Sequence, residues 1–296
     1  MSGPEGFAGS RPGRVAIVGA GQVGTMLGMA LRWAGARAGV EEVVLLDPDP
    51  VALAASLERG AGQRAAADMA DVLSANTIVL AIPVGEIVKW LDQFGPSVGP
   101  ASLVLDTGSA KRDVVEAMRR TVPPHAQAVG GHPVAGTERP GPVGADPSRL
   151  RGATFVLCPV RDDDAALARG RAVAEAVGAT PAEMDADAHD RVIARTSHLP
   201  HLAACALAIV TGDRVPDEGQ TIRLLASTGF AGATRLVAGD PPMIAAFLHA
   251  NREEVRRALS DLVEELGRLD LAIDDPDPDT LVAELARGRA ARRAVI

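Results

Sequence analysis

A histidine able to move a proton near neutrality, His132, stands in the stretch Gly130 to Gly141, G-G-H-P-V-A-G-T-E-R-P-G. An imidazole has an unperturbed pKa of about 6.5, so it can accept a proton at physiological pH. The stretch follows a short apolar run, Ala126 to Val129, that reads as the end of a strand. Glycine and proline at this density argue against a helix interior or a central strand, which places His132 on a tight loop. In an open α/β sheet the carboxyl ends of the strands are where ligands bind. The plainer alternative is a loop histidine that only packs or caps.

A second stretch with chemical meaning lies near the start of the chain. The apolar strand Arg14 to Val18 runs into Gly19-Ala20-Gly21-Gln22-Val23-Gly24. A helical apolar face then follows in Met26, Leu27, Met29, Ala30 and Trp33. Strand, glycine turn and helix are the context in which G-x-G-x-x-G binds a dinucleotide. Gly19 permits the tight turn, Gly21 lets a pyrophosphate approach the backbone, and Gly24 lets the helix pack close to the strand. The free N–H groups and partial positive charge of the helix start then face the phosphates. Asp47 ends the next strand, Val43 to Leu46. A carboxylate there suits the adenosine ribose hydroxyls and repels a 2′-phosphate, which favours NAD over NADP. A helix cap is the other role open to Asp47, and Asp49 would serve it equally well.

The elements that must position these residues alternate. Strands are expected at Thr77 to Ala81, Ser102 to Leu105, Ala153 to Leu157 and, shortest, Ala182 to Met184. Helices are expected at Val84 to Phe94, Arg112 to Arg120 and Asp164 to Val177. This rhythm implies an α/β, Rossmann-like doubly wound parallel sheet. Ser109, in D-T-G-S-A-K, falls at the same sheet edge as Gly19 and His132, where it would cap the next helix or hydrogen-bond a ligand. After Asp185 the period is helical throughout, so an all-α C-terminal domain is expected over 186–296. The dinucleotide-binding domain spans 14–185, after a disordered lead-in over 1–13. Met243 to Leu271 reads as one long helix, of the kind that pairs with a second subunit.

The helical half has its own polar cluster. Ala188-His189-Asp190 opens a helix, and Thr196-Ser197-His198-Leu199-Pro200-His201 follows, with Pro200 expected to kink it. His198 and His201 lie on one helical face, but no further Cys or His completes a metal site. Arg235 follows the glycine-rich turn from Ser227 and has the bidentate fork that meets a carboxylate; its alternative is a surface salt bridge.

Composition bounds the rest. The chain has 296 residues, 47% hydrophobic and 23% charged, with a net charge of −8. An acidic chain without a basic run is a poor nucleic-acid binder. The longest apolar stretches, such as Thr77 to Ile82, read as far too short to span a bilayer. Two cysteines, Cys158 and Cys205, suggest a reducing cytoplasm rather than a disulfide framework. Lys89 and Lys111 are the only lysines.

Taken together, G-A-G-Q-V-G, D-T-G-S-A-K, G-G-H-P-V-A-G-T-E, the H-D and S-H-L-P-H of 189–201, and G-F-x-x-x-T-R ending at Arg235 resemble the prephenate/arogenate dehydrogenase family of tyrosine biosynthesis. The resemblance covers about residues 14 to 271. It implies NAD-dependent oxidative decarboxylation: NAD⁺ takes a hydride from the carbon bearing the ring hydroxyl, His132 accepts the hydroxyl proton, and loss of CO₂ makes the ring aromatic. No metal is needed as an electron sink. The resemblance also implies that Ser109 supports His132 and the nicotinamide edge and that Arg235 binds a substrate carboxylate. His201 and His198 would line the pocket, Thr137 and Glu138 would stand at its mouth, and the helices would form a homodimer. Gly232 and Ile244 stand where the family usually has Asp and Trp, which leaves open an amino-substituted analogue of prephenate as substrate. Two other readings stay open. A β-hydroxyacid dehydrogenase of the same layout would carry its catalytic lysine in the helical half, where this chain has none. A non-catalytic dinucleotide-binding regulator would be expected to lose His132 or Arg235, and both are present.

Overall fold

The computed structural model describes residues 11–136, 139–213 and 219–295. In chain order it holds β1 (Gly13–Val18), α1 (Gln22–Ala34), β2 (Val40–Leu46), α2 (Pro50–Glu58), β3 (Arg64–Ala65) and α3 (Met69–Leu73). Next come β4 (Thr77–Leu80), α4 (Val84–Phe94), β5 (Leu103–Asp106), α5 (Arg112–Thr121), β6 (Gln127–Pro133), β7 (Thr154–Pro159), α6 (Asp164–Ala176) and β8 (Thr180–Glu183). The remainder is helical: α7 (Ala186–Ile193), α8 (Leu199–Asp213), α9 (Gly219–Leu225), α10 (Thr228–Ala233), α11 (Pro241–Ala250), α12 (Arg252–Asp274) and α13 (Pro278–Val295). Residues 1–10 of the expected lead-in lie outside the described residues, while its last residue, Gly13, already belongs to β1.

The strands form one sheet in the order β3-β2-β1-β4-β5-β6-β7-β8. Helices cover both faces, so the central strands are mostly apolar; all four residues of β4 are buried. Val15 and Ile17 of β1 point into the core beneath α1 and α6, and Ala16 and Val18 into the core beneath α4 and α5. This is the period of two that a doubly covered strand requires.

Three expectations need correction. The sheet is parallel except for β6 and β7, which pair antiparallel from Val129↔Pro159 to Pro133↔Phe155. Among its described residues the link between them has two short 3₁₀ turns and no crossover helix, so the chain returns alongside itself. His132 is not on a loop: β6 continues through Gly130 and Gly131 to Pro133, with His132 paired to Val156. The glycines serve close packing here. A Cβ on Gly131 would stand 2.3 Å from the Asp106 carbonyl oxygen. The long helix expected over 243–271 is broken at Asn251 into α11 and α12; the Asn251 amide instead donates to the Asp190 carbonyl at 2.8 Å.

The change from sheet to helices falls between β8 and α7, whereas by compactness residues up to 251 form one unit and 252–296 a second. Within the second unit α12 packs on α13, and Arg287 bridges Glu265 and Glu284. The helical run 186–212 is long and apolar enough to cross a membrane by length and composition. Its interruptions hid it from a search for unbroken apolar stretches. His189, Asp190 and His198 within it are buried.

Candidate active site

The glycine turn is built as the motif requires. Gly19 has φ 107°, and a Cβ there would lie 2.2 Å from the Ala81 carbonyl oxygen. A Cβ on Gly24 would lie 2.0 Å from the Gly19 carbonyl oxygen, so α1 can only approach β1 with glycine at that place. Around Gly21 there is open space where a Cβ would be, and Gly21, the N-cap residue of α1, supplies no side-chain cap. A helix start of this kind favours an anion beside it. Asp47 accepts from the Ala20 N–H at 2.6 Å and from the Asp49 N–H at 2.8 Å, tying the end of β2 to the turn. The capping role goes to Asp49, which accepts from the Val51 N–H at 2.9 Å. Gln22 donates to the carbonyls of Arg139 and Gly144, clipping the 139–144 segment beside the turn, and Val23 packs on the core. An open backbone cradle, an uncapped helix start and a carboxylate at the next strand end fit a dinucleotide.

Two strands along, a buried ion pair locks the edge where His132 sits. The Lys111 ammonium bonds the Asp106 carboxylate and, at 2.6 Å, the Gly131 carbonyl, and both side chains are fully buried. Asp106 also accepts from the N–H groups of Gly108 at 2.7 Å and Gly131 at 2.8 Å. Every oxygen of the buried carboxylate is therefore satisfied, as burial of a charge demands. The bonds to both polar groups of Gly131 fix the backbone that presents His132.

The His132 ring is 8% exposed. Its Nδ1 lies 2.9 Å from His189 Nε2, and His189 Nδ1 lies 2.7 Å from Asp190 Oδ1. The Asp190 carboxylate also receives the N–H groups of Lys111 at 2.7 Å and Arg112 at 2.9 Å. It thereby caps α5 from 79 residues away. Among the described residues Ser109 makes no capping bond; it is half-buried in the turn before α5, whose N-cap is Lys111. Burial pushes the Asp190 carboxyl up, but the bonds from His189, Arg112 and Lys111 outweigh it and hold the group below its ordinary value. Burial, then the neighbouring His189, Lys111 and His198, push His132 well below its ordinary value. These contacts fix the tautomers. An ionised carboxylate only accepts, so His189 donates from Nδ1 and accepts at Nε2. His132 then donates from Nδ1, and its Nε2 carries the lone pair. Among the described residues nothing hydrogen-bonds that nitrogen.

His198 comes from a wide helical turn, Ala194–His198, of π form, lying just before the expected Pro200 kink, and His201 follows in α8. Such turns redirect side chains and recur at functional sites. His198 is fully buried, 3.3 Å from the Asn251 amide, and burial pushes it down to about 4. Its Nε2 has no hydrogen-bond partner among the described residues. His201 donates from Nδ1 to the Ser197 carbonyl, 2.9 Å away. Phe247 of α11 contacts both rings, stacked on His198 and edge-on to His201. Arg235 is exposed at the start of the short turn Arg235–Ala238, which packs against α8, the helix of His201. Thr137 and Glu138 lie outside the described residues.

Residues 27–182 match the nucleotide-binding domain of prephenate dehydrogenase, and residues 185–287 its dimerization domain. The chain belongs to the prephenate dehydrogenase family. It is 30% identical over 277 residues to a probable prephenate dehydrogenase of Streptomyces niveus, NovF, covering 88% of this chain and 72% of that one. It is 26% identical over 220 residues to a prephenate dehydrogenase of Bacillus subtilis; that match covers 74% of this chain and 59% of the relative's length. Among solved structures, the prephenate dehydrogenase of Aquifex aeolicus in complex with hydroxyphenyl propionate and NAD⁺ superposes with a TM-score of 0.86 at 26% identity. The match covers 96% of this chain and 98% of that one.

Within this family member, three site residues went unassigned in the sequence. Asp190 and His189 stood in the noted H-D pair, but their partners lie 79 and 57 residues away. Lys111 had a usable signal: it is one of two lysines in a chain that otherwise employs arginine. A compact ammonium fits the buried slot between Asp106 and Gly131, where a guanidinium fork would not.

Proposed function

We propose that this chain oxidatively decarboxylates prephenate or arogenate with NAD, giving 4-hydroxyphenylpyruvate or tyrosine. The observation that carries the reading is His132 Nε2, a lone-pair nitrogen held at the carboxyl edge of the sheet and bonded to no described residue. Family membership and the NAD⁺ in the Aquifex relative support it. Gly19, Gly21, Gln22, Val23, Gly24 and Asp47 hold the dinucleotide over residues 14–185. Bound there, NAD supplies the hydride acceptor. His132 Nε2 hydrogen-bonds the substrate's ring hydroxyl and takes its proton as hydrogen leaves the carbinol carbon. Ser109 steadies the nicotinamide edge beside His132. Arg235 pairs with a substrate carboxylate, and His198 and His201 wall the pocket, with Thr137 and Glu138 at its mouth. The ring carboxylate departs as CO₂, and its bonding pair aromatises the ring.

The helices over 186–296 supply the substrate side and a homodimer interface, a reading supported by the matched dimerization domain and by exposed Leu207, Ile209 and Val210 on α8. The enzyme works in the cytoplasm. Gly232 and Ile244 favour a second reading, the same chemistry on 4-amino-4-deoxyprephenate; Gly232 is exposed in α10, and Ile244 packs toward Gly239. Incubating the protein with NAD⁺ and each of the three substrates in turn, while following NADH absorbance, separates these readings. A β-hydroxy acid serves as control and should give no signal. His132→Asn should lower turnover by roughly 10²–10⁴ with the fold intact; near-normal turnover removes His132 from the mechanism.

A further inference from the structure

We infer that Asp190, His189 and His132 form a proton relay in which the positive charge created by deprotonating the substrate alcohol comes to rest on His189 rather than on His132. The inference rests on the proposed role of His132 as base. Its ground is the unbroken contact from His132 Nδ1 to His189 Nε2, 2.9 Å, and from His189 Nδ1 to Asp190 Oδ1, 2.7 Å.

The surroundings of the two rings are unequal. His132 faces the Lys111 ammonium from the β5–α5 turn and His198 from the π turn, and burial alone already opposes a charge on it. The Asp106 carboxylate beside it is committed to Lys111. His189 instead touches a carboxylate kept ionised by the N–H groups of Lys111 and Arg112. The contact made by Asn251 at the Asp190 carbonyl is uncharged. An imidazolium at His189 is therefore half of a buried ion pair, whereas one at His132 would be a second cation beside Lys111.

The step balances. The substrate O–H bond breaks and an N–H bond forms at His132 Nε2. The Nδ1–H bond of His132 breaks and one forms at His189 Nε2, so His132 is neutral before and after, in the opposite tautomer. The O–H electron pair becomes the carbonyl as hydride leaves for the nicotinamide dinucleotide. When CO₂ departs, the phenolate oxygen recovers the proton along the reverse path. No proton is gained or lost overall. His189 and Asp190 thus act as positioning residues, through His132.

Nitrogen NMR of the full chain with ¹⁵N-labelled histidine tests this without cofactor. On acidification the His132 ring should switch from the Nδ1–H to the Nε2–H tautomer while staying neutral, as His189 becomes the imidazolium. An imidazolium at His132 beside a neutral His189 would overturn the relay. His189→Gln supplies the kinetic arm: its side-chain carbonyl still accepts from His132 Nδ1 but takes no proton. Turnover should fall about 10²-fold at little change in KM, with the acid limb of kcat/KM moved to lower pH. A profile and turnover matching the parent enzyme would refute it. If the parent enzyme reduces NAD⁺ with none of the cyclohexadienol substrates, the functional reading fails, and the NMR titration still decides the relay.

Discussion

The carboxyl edge of β5 and β6 and the helix pair α12 and α13 both hold charges in ion pairs, on opposite terms. At the sheet edge Lys111 and Asp106 are fully buried, and each also bonds the backbone of Gly131. On α12 and α13 the pairs Arg268–Glu264 and Arg287–Glu265 leave 42–66% of each side chain in solvent. A buried pair costs heavily to desolvate, so it adds little net stability over an apolar core, but it is intolerant of losing one partner. A surface pair is screened and loses side-chain entropy, so it contributes little and is lost cheaply. The two regions differ in what they are for. The first fixes where an imidazole points; the second keeps a helix surface wet.

Lys111→Met should give the largest effect, because it leaves the Asp106 carboxylate buried without its cation. Chemical denaturation should show a loss of about 3–5 kcal/mol; a loss under about 1 kcal/mol would mean that the pair does not lock the edge.

Acid should bring the next effect, chiefly through buried groups. His198 is held at about 4 when folded, against about 6.5 in the unfolded chain. Above pH 6.5 neither state takes the proton. Between about 6.5 and 4 the unfolded chain binds it and the folded one does not, so stability falls as pH falls across that window. His198 alone accounts for on the order of 3 kcal/mol, and His132, shifted in the same direction, adds to it. Urea midpoints measured between pH 7 and pH 4 should drop steadily, and a flat profile would contradict the depressed values.

Arg268→Ala on α12 should give the smallest effect, within about 0.5 kcal/mol, and less still in high salt. A larger loss would mean that this surface does more than stay solvated.

The contrast also explains what could be read from the sequence. The glycine turn was legible because strand, turn and helix follow one another directly in the chain: Gly19 takes φ 107° within the turn, and Gly24 answers to the Gly19 carbonyl five residues back. The alternation of strands and helices, and the fold class with it, was legible for the same reason. Gly130 and Gly131 misled because composition cannot distinguish a glycine needed for a turn from one needed for a close approach. Gly131 is of the second kind, pressed against Asp106. The capping of α5 by Asp190 was out of reach for another reason: helix caps are sought within a few residues, and this one is supplied from α7. The break at Asn251 was hidden because apolar periodicity continues across it, and only the tertiary bond to Asp190 shows why the helix stops.

The chain's sparing use of lysine has a practical consequence. Among side chains, an amine-reactive ester meets Lys89 in solvent and finds Lys111 sealed beneath the sheet edge. Acylation of Lys89 should thus be immediate, while any slow incorporation at Lys111 would time how often the strand ends part, giving a chemical clock for the breathing of the site.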